Sequence, residues 1–450
     1  MTRAQRLSTR PLLLAAILFA LAQAAPAQAT FDKSEFAARR ARLFEQTADG
    51  VTVVFAADPH VQPVKFRQSP DFYYLTGIEE PGAVLLLVGR TRESFVFARA
   101  RESWELSVEG PGLLDVKNSA ETYGLTNVAP VETFARVFEA AARGAKRLYV
   151  PLSPPDALQL ARQEIFMHDR KVGSHPLYKY TPTYAQAVAR LREMQPALEA
   201  SDVNPLIDAM RWVKTPYEIE RMRRSGAIAA EAMKAAMRGT HAGEYEYEVE
   251  AAARAVQTRM GARGDAFTPI VASGPNTITW HYERNDRRME AGDVVLMDYG
   301  ADFDYYASDI TRTWPVSGAF TPEQEKMYRC ILEARAAIIA AMKPGVTIRR
   351  LQDAAEAVYT RHGFRQQFME LGRYVGHYVG LSVHDVGPMT PDTVLRAGVV
   401  FNVEPLIEFR DKRIHMRLED TVLVTQTGAE NFTAAAPADI EAVYALVRQK

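Results

Sequence analysis

Four carboxylates lie in two strand-like parts of the sequence. Asp298 and Asp309 flank the turn-like ADFD in LMDYGADFDYYASDITRTW, and Glu404 and Glu419 flank RDK in a later pair of apolar segments. If each hairpin is symmetric about its turn, the two acids of a pair are directly opposite, with Cβ atoms about 4.5–5.5 Å apart. Ionised carboxylates at that distance repel, so either one is protonated or a cation lies between them.

Surface acids on two ordinary hairpins are the alternative for each pair alone. Two hairpins that both pair acids within apolar strands favour a metal site instead. The other two acids of the first stretch, Asp302 and Asp304, fall at the predicted turn. Aspartate is favoured there by local backbone bonding, so we expect these two to have a structural role. The stretch lacks the glycine and the closing glutamate of a helix–loop–helix calcium site.

His377 and His384 lie in VGHYVGLSVHDVG, where glycines let the backbone approach a site closely. An imidazole here would complement the four carboxylates, and a buried structural histidine is the alternative. The GLSVH part lacks the second glycine and the strand-to-helix elbow of a serine hydrolase. Cys330 is the single cysteine, so cysteine-based zinc sites are excluded and the metal ligands are oxygen and imidazole.

The elements that carry these residues follow a change in pattern along the chain. Up to about residue 200, helices alternate with strands, which predicts an α/β domain with a central sheet. We predict a helix over 34–47, and strands at GVTVVFAA, FYYLTGI, AVLLLVG and SFVFAR. A further helix and strand are predicted in VETFARVFEAAARGAKRLYV.

Two pairs of helices, each followed by strands, are predicted in the rest of the chain. The first pair begins at Thr215, where Pro216 and Glu218 indicate a capped helix start, and continues with a helix over 244–260. The second pair covers 321–342 and 347–362, and a last helix ends the chain. This order predicts a duplicated α+β unit, although no sequence repeat is visible.

The first 29 residues have the three parts of a secretory signal peptide. Three arginines precede the apolar PLLLAAILFALA and the small-residue site APAQA. The apolar run is too short to span a bilayer comfortably, and an uncleaved anchor is the alternative. We therefore expect an exported protein, periplasmic or secreted, without a membrane span once the signal is removed. The net charge of −1 gives no reason to expect a nucleic-acid partner.

Several motifs together resemble those of the pita-bread metallopeptidases. They are DYGADFDYYASDITRTWPV, GHYVGLSVHDVG, NVEP and RLED. The upstream SPDFYYLTGIEEPGAVLLL is similar to the N-terminal domain that accompanies aminopeptidase P and prolidase. The resemblance implies an α+β protein in which a signal peptide (1–29) and an α/β N-terminal domain (30–205) precede a pita-bread catalytic domain (206–450).

The same resemblance implies two divalent metal ions held by Asp298, Asp309, His377, Glu404 and Glu419. Asp309 and Glu419 would bridge the two ions, Asp298 would hold one, and His377 and Glu404 would complete the shell of the other. Mn²⁺ is the usual choice in this family, and Zn²⁺ and Co²⁺ are alternatives. The ions would activate a bridging water, and Glu404 would carry a proton from it to the leaving proline nitrogen.

Four further residues match substrate-side positions of the family. His281, in NTITWHYERND, would line the substrate site, with a strand-end role as the alternative. His384 would stabilise the tetrahedral intermediate, and Arg417 would neutralise and orient the bridging carboxylates. Arg373 stands where the family usually has another histidine. We predict that Arg373 binds a substrate carboxylate and favours short peptides, with a structural arginine as the alternative.

A second departure follows Glu404 and Pro405, where Leu406, Ile407 and Glu408 replace the usual Gly-x-Tyr and alter the pocket. The activity implied is that of an Xaa-Pro aminopeptidase, which removes an N-terminal residue that precedes proline, and the family suggests a homo-oligomer. One alternative is prolidase, which cleaves the dipeptide only. The other is a catalytically silent pita-bread module that binds a partner.

Overall fold

The computed structural model describes residues 31–59, 65–177 and 180–449, so the signal peptide expected over 1–29 lies outside the described residues. From Lys33 onward the chain forms one compact unit. In the described ranges, no helix combines the length and the apolar character needed to cross a membrane.

The N-terminal region contains a six-stranded mixed sheet with the strand order β4-β3-β2-β1-β5-β6. Its strands are β1 (Gly50–Phe55), β2 (Val84–Val88), β3 (Glu93–Ala98), β4 (Asn127–Pro130), β5 (Arg147–Val150) and β6 (Glu199–Asp202). The helices are Lys33–Gln46, Pro70–Thr76, Ser103–Glu109, Ser119–Thr122, Phe134–Ala142, Arg162–Gly173, Thr183–Met194 and Asn204–Trp212, with a 3₁₀ turn at Val131–Thr133. Apolar residues on both faces of the sheet are buried under these helices. The predicted α/β domain with a central sheet is thus confirmed.

One predicted strand is wrong, because FYYLTGI lies in the helix Pro70–Thr76 and its C-terminal cap. Pro70 begins the helix with a preset backbone angle, and Gly77 ends it with φ of 68°. Every residue of the helix is buried. A short apolar segment without a polar face has no periodicity to distinguish helix from strand, which explains the error.

The C-terminal region contains the two predicted helix pairs. They are Pro216–Arg238 with Glu246–Arg259, and Pro322–Ala341 with Ile348–His362; the other helices are Arg365–Glu370 and Ile440–Val447, with a 3₁₀ segment at Gly274–Ile278. Thr215 and Glu218 cap the first helix reciprocally, as predicted. Each pair packs on its own buried cluster beneath the strands. The predicted domain boundary at 205–206 falls in the first turn of the helix Asn204–Trp212 and stays a prediction.

Short antiparallel strands that follow each helix pair in the sequence carry the candidate site. They are β7 (Gly264–Asp265), β8 (Ile270–Ser273), β9 (Val294–Tyr299), β10 (Ala301–Phe303), β11 (Tyr306–Ala307), β12 (Ile310–Pro315), β13 (Val400–Val403), β14 (Leu406–Phe409), β15 (Ile414–Arg417), β16 (Asp420–Val424) and β17 (Ala429–Asn431). Residues 294–315 form the first hairpin and residues 400–424 the second. The Glu419 amide donates to the Thr311 carbonyl at 3.0 Å, which joins the two hairpins side by side.

Candidate metal centre

In the first hairpin, Asp298 is opposite Thr311 and not opposite Asp309 as predicted. The turn is made by Asp304 and Tyr305, with φ of 50° and 72°, one residue further along than the symmetric estimate. The pairing register is therefore shifted by two residues. A shift of two keeps every side chain on its face, whereas a shift of one would have reversed them. Asp309 becomes a diagonal neighbour of Asp298 on the same face.

In the second hairpin, the predicted register is confirmed. Val403 pairs with Asp420 on one side of Glu404 and Glu419, and Leu406 pairs with Arg417 on the other. The two glutamates are opposite each other in a gap between these ladders. The gap leaves both carboxylates directed to a site rather than held within a continuous sheet.

His377 reaches the carboxylates because its backbone runs directly against β13. The Asn402 amide donates to the His377 carbonyl at 2.6 Å. Gly376 has φ of 133°, and a Cβ there would overlap the Asn402 carbonyl oxygen, so only glycine fits. The His377 Nε2 atom lies 3.4 Å from Asp309 Oδ2, 3.7 Å from Glu419 Oε1 and 3.8 Å from Glu404 Oε2.

The donor atoms of this cluster fit a divalent cation. Ligand atoms of Asp309, His377 and Glu419 all lie within 4.8 Å of one another. The Oδ1 atoms of Asp298 and Asp309 are buried and have no hydrogen-bond partner. A buried oxygen without a partner is costly, and oxygen ligands with one imidazole suit a hard or borderline divalent ion.

Burial also changes the proton affinity of the carboxyls. It raises the pKa of Asp298 to about 6, and together with Glu419 it raises that of Glu404 to about 8. It raises the pKa of Asp309 well above the ordinary value. Burial opposes ionisation of Glu419 as well, but Arg417 and His377 outweigh it and lower the pKa of that carboxyl. The cluster therefore retains protons that a cation would displace.

Arg417 lies against three of the four carboxylates. Its guanidinium donates to Asp298 and, at 3.3 Å, to Glu404 Oε1, and its Nε lies 3.6 Å from Glu419 Oε2. Only 3% of Arg417 is exposed. One guanidinium and one imidazole do not balance the charge of four buried carboxylates, so the remaining positive charge comes either from retained protons or from a bound cation.

The structure adds three polar side chains that the sequence analysis did not identify. Thr311 and Asn402 both donate to Glu419, and the Tyr374 hydroxyl donates to Glu404 Oε2 at 2.7 Å. Thr311 and Asn402 each stand two residues from a carboxylate on the same strand face, so alternation could have found them. Nothing in the sequence around Tyr374 indicates its contact.

His281 and His384 line a small pocket, about 60 Å³ in volume, beside Asp298 and Asp309. The His384 ring stands edge-on to that of His377, with centroids 4.4 Å apart. His281 follows Trp280, whose Nε1 donates to Glu408 at 2.9 Å. The departure at Glu408 thus supports the segment that carries His281, while Leu406 and Ile407 are buried.

The structure does not bring Arg373 to the carboxylates. Its guanidinium pairs with Asp353 at 2.6 Å and with Glu356 at 3.0 Å, both on the helix Ile348–His362. These contacts are those of the structural arginine that the sequence left open as an alternative. The substrate contact stays a prediction.

Comparison with known proteins agrees with this arrangement. The family model for Metallopeptidase family M24 matches residues 220–426, and that for the aminopeptidase P N-terminal domain matches residues 36–149. An Xaa-Pro aminopeptidase of Haemophilus influenzae is 30% identical over 448 residues, which cover 92% of this chain and 96% of the relative. The chain belongs to the aminopeptidase P family. The α+β fold and the metallopeptidase class expected from the sequence are therefore confirmed.

Two further comparisons distinguish the branches of this family. The structure of Escherichia coli aminopeptidase P with the inhibitor Pro-Leu has a TM-score of 0.79 and 28% identity, and the match covers 93% of this chain and 99% of that one. An Xaa-Pro dipeptidase of Pyrococcus furiosus is 35% identical over 248 residues, but the match covers only 55% of this chain and 70% of the relative. The aminopeptidase P matches extend through the N-terminal domain.

Proposed function

We propose that this chain is an Xaa-Pro aminopeptidase whose two divalent metal ions are held by Asp298, Asp309, His377, Glu404 and Glu419. The convergence of both hairpins and His377 on buried oxygens without partners supports this ligand set most strongly. The family membership makes the chain a metallopeptidase. Full-length similarity to an Xaa-Pro aminopeptidase supports cleavage before proline.

The bound ions would supply a nucleophilic water at neutral pH and polarise the scissile carbonyl. Glu404 would carry the proton needed by the leaving proline nitrogen, and the Tyr374 hydroxyl, which donates to its Oε2 at 2.7 Å, holds this carboxylate in position. Arg417 keeps Asp298 and Glu404 in place. His281 and His384 bind the substrate from the other side of the pocket.

The proposal also covers the identity of the metal, the location of the protein and its oligomeric state. Mn²⁺ is the proposed metal, because carboxylate ligands predominate and only one imidazole is present. The leader-like first 29 residues support export to the periplasm or medium. A homo-oligomer is proposed from the family resemblance alone.

A metal-reconstituted assay on three peptide classes tests the function. The metal-free mature protein is loaded with Mn²⁺, Zn²⁺ or Co²⁺ and offered Xaa-Pro, Xaa-Pro-Yaa and proline-free peptides. Release of the N-terminal residue from Xaa-Pro-Yaa is expected. Cleavage of Xaa-Pro alone would instead identify a prolidase, and cleavage of proline-free peptides at the same rate would contradict both.

A further inference from the structure

The segment that carries His384 is attached to the N-terminal region residue by residue. Three consecutive residues each contact a different group of that region: Ser382 Oγ donates to Asp156 at 2.5 Å, the Val383 amide donates to the Leu158 carbonyl at 2.7 Å, and His384 Nδ1 lies 3.3 Å from Glu164 Oε2. The next residue, Asp385, accepts from Arg211 at 2.6 Å and from Lys214 at 2.8 Å, which lie in and just after the helix Asn204–Trp212. The position of this pocket histidine is therefore set largely from outside the 220–426 match.

The anchors on either side of His384 are buried. Asp156, Arg211 and Asp385 have side chains at most 1% exposed, and Arg211 bridges the other two with bonds of 2.6 Å to each. Charged groups so deeply buried are strongly destabilising to separate, because each would lose its partner without regaining water. The backbone around His384 is thus fixed in place.

Glu164 is itself held by a helix cap, although 40% of its side chain is exposed. It lies in the first turn of the helix Arg162–Gly173, and its Oε2 accepts from the Ala161 amide at 2.7 Å. The same oxygen faces His384 Nδ1. A carboxylate that is already fixed by a helix cap loses little conformational entropy when it also binds an imidazole.

We propose that Glu164 is a positioning residue for catalysis, which accepts the Nδ1–H of His384 and so directs the Nε2 side of the ring to the substrate. An imidazole whose one nitrogen is bound has its orientation and its other nitrogen defined, as in other carboxylate–histidine pairs. The inference rests on the proposed role of His384 in stabilising the reacting carbonyl. It makes the N-terminal domain a part of the active site within one chain.

Steady-state kinetics of the Mn²⁺-loaded enzyme on an Xaa-Pro-Yaa peptide test this assignment. Glu164→Ala is expected to lower kcat about tenfold, the order of one charge-assisted hydrogen bond, with KM within about twofold and metal content unchanged. Glu164→Gln is expected to retain kcat within about threefold, because one amide oxygen can accept both bonds. If the alanine variant does not fold, Glu164→Asp replaces it in the test. The shorter side chain moves the carboxylate away from His384, so the same fall in kcat is expected.

The matched control is Glu248→Ala. Glu248 caps the helix Glu246–Arg259 in the same way, with its Oε2 accepting from the Tyr245 amide at 2.7 Å, and it is exposed. Loss of this cap is expected to leave kcat unchanged. An equal fall in kcat for both cap variants would overturn the proposal, because helix loosening alone would explain it.

A double-mutant cycle with His384→Ala separates the two claims. Since Glu164 acts through His384, Glu164→Ala is expected to cause no further fall in kcat when His384 is already absent. A further fall in that background, or a wild-type kcat for Glu164→Ala alone, would refute the positioning role. A wild-type kcat for His384→Ala would refute the proposed role of His384 and the inference with it.

Discussion

The two hairpins each supply two carboxylates to the candidate metal centre, but their tips lie in different surroundings. The tip of the first hairpin is buried against the N-terminal region. Tyr305 stacks on Tyr73 with ring centroids 3.6 Å apart, and Asp302 accepts from Arg67 at 2.7 Å. Tyr306 accepts from Arg39, 267 residues away in sequence, at 3.0 Å.

The tip of the second hairpin is exposed at Asp411 and Lys412. Its register is set by its own ladder and turn, and local sequence predicted it correctly. The first hairpin makes its turn at Asp304 and Tyr305, with both residues at positive φ. This is the two-residue form that suits the strand twist, and it places Tyr305 against Tyr73. The first hairpin therefore also contacts the N-terminal region at its tip, whereas the tip of the second is exposed to solvent.

Substitution of one carboxylate in each hairpin is expected to have the largest effect, and it tests whether both hairpins contribute to one site. Asp309→Asn and Glu419→Gln, one from each hairpin, are each expected to lower kcat/KM about a thousandfold, because each removes the charge of a carboxylate that is proposed to hold the metal. Metal analysis should show a matching loss of bound ion. A variant that loses activity while it keeps two ions per chain would contradict the shared-ligand assignment.

Removal of one aspartate at each hairpin tip tests whether only the first tip stabilises the fold. Asp302→Ala is expected to reduce the free energy of unfolding by about 3 kcal/mol, because the largely buried guanidinium of Arg67 loses its carboxylate and keeps only two carbonyl acceptors. Asp411→Ala, at the exposed tip, is expected to change it by less than about 0.5 kcal/mol. Urea unfolding of both variants provides the comparison. Equal losses would show that the first tip is not an anchor.

The pH dependence of the free energy of unfolding of the metal-free protein distinguishes Asp298 of the first hairpin from Glu404 of the second. Burial raises the pKa of Asp298 to about 6 and that of Glu404 to about 8, above unfolded values of about 4. A raised pKa means that the folded state binds more protons, so the stability contribution is fully present below pH 4 and is lost as the pH rises through the folded pKa.

Unfolding free energies across pH should therefore decline by up to about 1.4 kcal/mol per pH unit for each titrating group. Asp298→Asn is expected to remove the part of the decline that ends near pH 6, and Glu404→Gln the part that continues to pH 8. A pH-independent stability of the metal-free wild type would contradict the buried, protonated carboxyls.

The smallest effect concerns Arg373. Because Arg373 is paired with Asp353 and Glu356, Arg373→His is expected to change the ratio of dipeptide to longer-peptide hydrolysis less than about twofold. The ratio of kcat/KM values for Xaa-Pro and Xaa-Pro-Yaa measures this. A clear shift towards longer peptides would support the substrate contact predicted from the sequence.

Local patterns predicted most of the fold and put the two acids of each hairpin on one face, whereas the resemblance to the family combined the five ligand candidates into one site. Capping at Thr215 and the alternation around Glu404 succeeded because their causes are local. The helix Pro70–Thr76 was missed, and the turn of the first hairpin was centred one residue too early, because burial by distant residues decides both. Asp304 lies in the turn as predicted, whereas Asp302 lies in β10. The contact of Glu164 with His384 joins residues 220 positions apart and has no local signal.

Anomalous diffraction from crystals of the Mn²⁺-loaded protein tests the central claim most directly. Data collected at the manganese edge are expected to show two peaks per chain, enclosed by Asp298 and Asp309 of the first hairpin, Glu404 and Glu419 of the second, and His377. A single peak, or peaks away from the junction of the hairpins, would contradict the account.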